Sequence, residues 1–401
     1  MSGVDSLDTP EPAKRIMMVT GESSGDLHGA NLIKAVNALS SVNIRFFGAG
    51  GQKMAEAGCE ILVPSEDLAV MGVFEVFGQL PVIWRSFQQL KKELSGPQKP
   101  DALVLIDFPD FNLRLSKHAQ KAGVPVLYYI SPKVWAWRMG RVKKIAERVD
   151  SLAVIFPFEP VLYNGLDVLV KYVGHPLLDE FAASRYDVDL REQLRIPAGQ
   201  KIIGLFPGSR RSELRYMLAL LVESAQLILA KEPNVHFLVP VANSLKTVEI
   251  KSQFGPDLPV TFIEAGNANI YAVAGCCDTI ITVSGTVTLQ IALAGTPMAI
   301  LYRTSPMTYA IGRRLVNVNH AGLPNIVANR RIVPEFIQDE ATPQVLADEA
   351  LHVLKDVVYA EKMKQDLRAV QKQLGDPGCS TRVAEMLFDL LLHKEPSKEK
   401  R

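Results

Sequence analysis

The sequence predicts an α/β chain built from two doubly wound parallel sheets, and three observations carry that reading. Arg15–Thr20, Ala102–Ile106, Lys201–Phe206 and Thr279–Val283 are short apolar runs without alternation, which suits strands buried on both faces of a parallel sheet. Each run ends in Gly, Ser, Asp or Pro and then opens a helix, so strands and helices alternate through short loops. The alternation pauses in a polar stretch over 181–200, ending Ile196-Pro197-Ala198-Gly199-Gln200, and restarts at Lys201. A chain of 401 residues exceeds one compact core, so the pause marks a linker between two domains.

Composition narrows the class. Hydrophobic residues make up 48% and charged residues 22%, as in a folded globular protein. A net charge of +1 argues against a general nucleic-acid binder, which needs a surplus of Lys and Arg to neutralise phosphates. The four cysteines, Cys59, Cys276, Cys277 and Cys379, have no metal-like spacing and read as reduced thiols of a cytosolic protein; no metal and no cofactor is expected. Residues 1–14 lack the apolar core of a secretory signal, and no run of about 18 apolar residues predicts a membrane span.

In chain order, the strand Arg15–Thr20 runs into Gly21-Glu22-Ser23-Ser24-Gly25-Asp26, a glycine turn opening a helix over Leu27–Leu39. Small residues there permit close backbone approach, and the helix start offers free N–H groups. Ser24 or Asp26 could serve as a helix cap; Glu22 is harder to explain that way. A strand at Ile44–Phe47 and Gly48-Ala49-Gly50-Gly51 follow. Val70–Leu94 is dense in large apolar residues, with Trp84, Arg85, Lys91 and Lys92 as interfacial anchors. It reads either as a core helix or as a segment lying in a membrane surface.

Ala102–Ile106 is the strand around which the rest is organised, because Asp107, Pro109 and Asp110 follow it at once. Ligands of open α/β sheets bind outside the carboxyl ends of the strands, so a carboxylate there can act as a general base. Asp110 is expected to cap the helix starting at Phe111 or Asn112, which leaves Asp107 as the candidate base. After a strand at Val124–Ile130, residues 131–148 interleave Trp135 and Trp137 with six basic residues against one acid, Glu147. That mixture fits either a phosphate or headgroup surface or a solvated helix face. Strands at Leu152–Phe156 and Val168–Val173 complete the first half, and His175 reads as either a general base or a satisfied turn histidine, with the second favoured.

In the second half, Pro207-Gly208-Ser209-Arg210-Arg211 after the strand Lys201–Phe206 is a glycine turn with paired arginines at a helix start, a geometry that can hold a pyrophosphate. Ser284-Gly285-Thr286, after Thr279–Val283, repeats the phosphate-cradle pattern, with Gln290 one turn further. The stretch 302–331 carries five arginines and no acid, and Asn325 within it could hydrogen-bond a base or sugar. Helices fill 342–393. The dinucleotide and P-loop fingerprints are both absent, which disfavours nicotinamide enzymes and P-loop kinases. Phosphate-type turns in one half and a strand-end carboxylate in the other suggest a cleft enzyme with a phosphorylated donor and an activated acceptor.

Gly21–Asp26, Met71-Gly72-Val73-Phe74-Glu75-Val76, Asp107–Asn112, Ser131-Pro132-Lys133-Val134-Trp135-Ala136-Trp137, Pro207–Arg210, Ser284–Thr286 and Leu323-Pro324-Asn325 together resemble the lipid-A-disaccharide synthase family, in order and spacing from about Arg15 to Leu391. The resemblance implies a GT-B glycosyltransferase, two Rossmann-like domains facing across a cleft. The expected domains are 15–185, facing acceptor and membrane, and 198–365, binding the UDP-sugar; helices over 366–393 return to the first, and 1–14 and 394–401 are disordered tails. It implies that UDP-2,3-diacylglucosamine and 2,3-diacylglucosamine 1-phosphate condense by inversion to the β-1,6-linked disaccharide 1-phosphate and UDP. Such an enzyme of lipopolysaccharide assembly would be cytoplasmic, peripheral on the cytoplasmic face of the inner membrane.

On this resemblance, Asp107 takes the proton of the acceptor 6-hydroxyl, while Arg210 and the turn Ser284-Gly285-Thr286 stabilise departing UDP. Glu22, Ser24, Gly25, Asp26 and Asp110 line the acceptor side; Gly208, Ser209, Gln290 and Asn325 belong to the donor side. Val73, Phe74, Val76, Phe77, Trp84 and Arg85 would meet a phospholipid surface. The family pattern usually has Glu where this chain has Gln290, which removes charge assistance from a contact to the ribose diol. Another UDP-sugar enzyme of this fold, either a muramyl-type transferase or an epimerase, and a non-catalytic membrane-associated binding protein are the alternatives. A homodimer is compatible with the sequence, which does not set the oligomeric state.

Overall fold

The computed structural model describes residues 13–40, 43–68, 75–137, 139–184, 190–315 and 318–392. It contains two wholly parallel sheets. In the first, β1 (Lys14–Val19), β2 (Ile44–Gly50), β3 (Cys59–Pro64), β4 (Ala102–Ile106), β5 (Val126–Tyr129), β6 (Ser151–Val154) and β7 (Leu169–Tyr172) lie in the order β3-β2-β1-β4-β5-β6-β7. In the second, β8 (Lys201–Phe206), β9 (Val235–Val241), β10 (Val260–Glu264), β11 (Thr279–Val283), β12 (Met298–Tyr302) and β13 (Glu335–Ile337) lie in the order β10-β9-β8-β11-β12-β13.

The apolar runs are explained by burial. All five residues of β4 and of β11 are buried, so neither strand has a solvated face that would call for alternation. Both sheets reverse their winding between two central strands, β1 and β4 in the first, β8 and β11 in the second. Loops leaving such a pair diverge and open a crevice at the carboxyl edge.

Two compact units divide the chain between Pro176 and Leu177, upstream of the expected linker at 181–200. The helix Pro176–Ala183 belongs by contact to the second unit, where the Tyr271 hydroxyl donates to the Leu177 carbonyl at 3.2 Å and Phe181 packs edge-on to Tyr271. The second unit also keeps the helix Val357–Gln373, and only the last helix, Cys379–Leu392, joins the first. There Arg382 Nε donates to the Val173 carbonyl at 2.8 Å, and the Cys379 thiol meets the Tyr129 hydroxyl at 3.3 Å.

Several local expectations are corrected. The first helix runs Ser23–Leu39, so Ser24 and Asp26 lie inside it and Glu22 is its N-cap. The helix after β4 starts at Pro109, where the fixed φ suits the first helical position. Asp110 therefore sits in the first turn instead of capping it. β5 stops at Tyr129 because Ile130 turns to φ 66°. The edge strands β3 and β13 and the strand β12 were not expected.

Val73 and Phe74 lie outside the described residues, as do the side chains of Val76 and Phe77. The helix Glu75–Ser95 is two-faced. Leu90 and Leu94 are buried with Ile83 and Phe87 against the first core, while Leu80 and Trp84 are 48% and 63% exposed. Arg85 is exposed too. Among the described residues no helix is long and apolar enough to cross a membrane.

Candidate active site

The crevice of the first sheet brings Gly21–Gly25, after β1, beside Asp107–Asn112, after β4. Asp107 and Phe108 have consecutive positive φ values of 46° and 47°, a backbone cost of about 1–2 kcal/mol each for L-residues. Hydrogen bonds hold this elbow. The Asp107 carbonyl accepts from the Tyr128 hydroxyl at 2.6 Å and from Asn112 Nδ2 at 2.7 Å, and its N–H donates to the Tyr129 carbonyl at 3.0 Å. Glycine is needed opposite, since a Cβ on Gly21 would lie 2.7 Å from the Phe108 ring. A Cβ on Gly25 would overlap the Thr20 hydroxyl.

The elbow leaves the Asp107 side chain half-buried at the strand end. Burial raises its carboxyl above the usual carboxylate range, and the Glu22 carboxylate adds to that rise; the Lys133 ammonium and the Phe108 N–H oppose it. A raised pKa makes a stronger base. Glu22 is exposed and makes no side-chain cap hydrogen bond, so its carboxylate acts on Asp107 and not on its own helix. Ser24 is exposed on the same turn. Asp110 pairs with Arg141 at 2.6 Å.

Asp26 has a different role from the one expected. It is buried, and its carboxylate accepts the N–H groups of Gly51, Lys53 and Met54 at 2.8, 3.0 and 3.0 Å, so it caps the neighbouring helix Gln52–Glu56 and has no free edge for a ligand.

Sequence reasoning passed over Glu159. This buried carboxylate accepts from Trp135 Nε1 at 3.2 Å and from the N–H groups of Ile155 and Phe156 at 3.1 and 2.9 Å. Burial pushes it up to about 7, against those three hydrogen bonds and Lys133. The available signal was an acid between Pro157 and Pro160 just past a strand. Nearby, burial and the charges of His28 and Lys133 pull His175 down to about 3, so it is a neutral packing residue against Phe156.

The second crevice is a cavity of about 390 Å³, lined by Gly208, Ser209 and Arg210 after β8, Glu264–Gly266 after β10, and Ser284–Val287 with Gln290 after β11. Its volume suits a small ligand. Gly208 has φ 97°, and Glu213 folds back so that Oε2 accepts from the N–H groups of Ser209 and Arg210 at 2.8 and 3.1 Å. The Arg210 side chain is left 76% exposed at the mouth, with a loose contact of 3.4 Å to Glu213. Gly285 and Thr286 are exposed at the start of the helix Val287–Ala294, where the first N–H groups have no intrahelical acceptor.

Asn325 is corrected. It is fully buried; its Nδ2 donates to the Val333 carbonyl and Glu335 Oε1 at 2.8 and 2.7 Å, and its Oδ1 accepts from Ile332 and Val333 at 2.7 and 3.0 Å. Those four bonds exhaust its amide, so it does not face a nucleotide. Instead it orients Glu335, which accepts from the Ala321 and Gly322 N–H groups, while the Ala321 carbonyl accepts from Ser284 Oγ at 2.7 Å. Asn325 thus supports the Ser284 turn from behind.

Comparison with known proteins identifies the family and the fold. The family model described as lipid-A-disaccharide synthetase matches residues 16–385. The lipid-A-disaccharide synthase of Syntrophotalea carbinolica is 54% identical, covering 96% of this chain and 98% of its own. Among solved structures, the UDP-GlcNAc 2-epimerase of Neisseria meningitidis bound to UDP-GlcNAc superposes with TM-score 0.61 at 13% identity, covering 94% of this chain and 99% of its own. A glycosyltransferase from Rickettsia africae gives TM-score 0.55 at 12% identity, covering 96% of this chain and 100% of that one. The latter two show the GT-B-like fold alone, whereas the family match and the 54% identity establish that the chain belongs to the lipid-A-disaccharide synthase family of glycosyltransferases.

Proposed function

We propose that the chain condenses UDP-2,3-diacylglucosamine with 2,3-diacylglucosamine 1-phosphate by a single inverting displacement, giving the β-1,6-linked disaccharide 1-phosphate and UDP. The observation that carries the mechanism is Asp107, a carboxyl with a raised pKa on a strained, hydrogen-bonded elbow at the switch point of the first sheet. Its carboxylate takes the proton of the acceptor 6-hydroxyl as the oxygen attacks the anomeric carbon. Glu22, Ser24 and Gly25 line the acceptor side, and Asp110 holds Arg141 beside it.

The second unit holds the donor. The N–H groups at Gly285–Val287 and the Arg210 guanidinium meet the pyrophosphate, and charge developing on the departing UDP is stabilised there. Gln290 hydrogen-bonds the ribose diol from inside the cavity. Exposed Leu80, Trp84 and Arg85 support contact of the first unit with a phospholipid surface, and the enzyme acts peripherally on the cytoplasmic face of the inner membrane. UDP release from the acylated donor and acceptor in mixed micelles tests this reading. A chain that binds UDP yet releases none with acylated substrates overturns it in favour of another UDP-sugar reaction.

A further inference from the structure

We infer that the helix Pro306–Leu315 is a docking face for an anionic phospholipid bilayer on the second unit, separate from the apolar segment of the first. The inference rests on the proposed reading only for the reason a bilayer comes to this unit. Met307 is 74% exposed and the preceding Tyr302 is 37% exposed. Ala310 and Arg314 are also exposed, and spacings of three and four residues put them on one helical face with Met307; Arg313 and Arg303 flank it, both exposed.

The charges there have no structural assignment. Tyr302–Arg331 contains no acid. Arg330 is committed to Asp366 at 2.6 Å and Arg331 to the Glu335 carbonyl at 3.0 Å. Among the described residues, no carboxylate pairs with Arg303, Arg313 or Arg314. Three unpaired guanidiniums around an exposed thioether suit a headgroup plane: the guanidiniums match phosphodiesters, and the unbranched Met enters the acyl boundary.

Position supplies the second argument. The helix leaves β12, the neighbour of β11 in the sheet, at the edge that carries Ser284–Thr286. A diacyl donor with its pyrophosphate in the cavity still has its chains in a bilayer, which therefore comes to this edge. A nucleic acid fits the surface less well, given a whole-chain net charge of +1.

The test is flotation of the full chain with phosphatidylethanolamine vesicles, with and without phosphatidylglycerol, comparing wild type with R313E/R314E and Met307→Asp. UDP titration checks that each variant is folded. The expected result is that R313E/R314E weakens binding to phosphatidylglycerol vesicles on the order of thirty-fold or more, with the loss shrinking as salt is added. Met307→Asp weakens binding to both vesicle types. Unchanged vesicle binding by both variants, with UDP affinity intact, overturns the inference; so does a change confined to oligomeric state in light scattering, which would assign the face to a second copy. Vesicle binding is read without turnover, so failure of the synthase reaction would leave this result standing.

Discussion

The Glu213 carboxylate occupies the space that a side chain on Gly208 would need, and from there it accepts the N–H groups of Ser209 and Arg210. Gly208 is also at φ 97°, where an L-residue is strained. Gly208→Ala is therefore expected to displace Glu213 and loosen the turn that presents Arg210. UDP affinity should fall on the order of tenfold or more, with a stability loss of about 1–2 kcal/mol. Calorimetric titration with UDP beside thermal melting reads both, and an unchanged affinity would count against the turn as part of the donor site.

The pH dependence of turnover should carry the mark of Glu22. Asp107 must be ionised to act as a base, and burial and Glu22 raise its pKa, so the acid limb of kcat/KM lies above the usual carboxylate range. Glu22→Gln removes the like charge and should move that limb to lower pH, while removing the Lys133 charge should move it higher. A limb that stays in place in both variants would separate it from Asp107.

Glu159 has a stability signature of opposite sense to an ion-paired acid. Its folded pKa, raised to about 7 from 4.5, makes the native state hold a proton that the unfolded chain releases between those values. Its contribution is fully present below the unfolded value and is lost as pH rises through about 7. Wild type should lose on the order of 2 kcal/mol across that window relative to Glu159→Gln, measured by denaturant melts at either end. Parallel stability profiles would show that Glu159 does not titrate there.

Asn325→Ala should destabilise by about 2–4 kcal/mol, because it leaves the buried N–H groups of Ile332 and Val333 without a partner and removes one of the three donors to the buried Glu335 carboxylate. Since Glu335 also holds Ala321, which accepts from Ser284, UDP affinity should fall indirectly. A variant with native stability and a selective loss of uracil recognition would restore the direct nucleotide contact that the structure replaces.

The strands β4, β8 and β11 were legible because full burial gives uninterrupted apolar runs; the turns after β1, β8 and β11 were legible because close approach demands small residues, and the turn after β4 because Asp107 and Pro109 end the apolar run. What sequence could not give was how each polar atom is satisfied. Asp26 and Asn325 look like ligand residues in a string of letters, yet Asp26 spends its hydrogen bonds on backbone beginning 25 residues away, and Asn325 on backbone 7 and 8 residues away and on Glu335. Glu159 was missed for the converse reason, since its partners are two backbone N–H groups and an indole 24 residues upstream. The edge strands β3 and β13 escaped because a half-exposed or three-residue strand lacks the continuous apolar run.

The central claim is that Asp107 is the base, and one comparison tests it most directly: UDP release from acylated donor and acceptor in mixed micelles by wild type and by Asp107→Asn. The substitution keeps the shape of the elbow and leaves the donor cavity untouched. Turnover should fall on the order of 10²–10⁴-fold with UDP affinity unchanged. Near wild-type turnover in Asp107→Asn would contradict the account and pass the proton to another group at that edge.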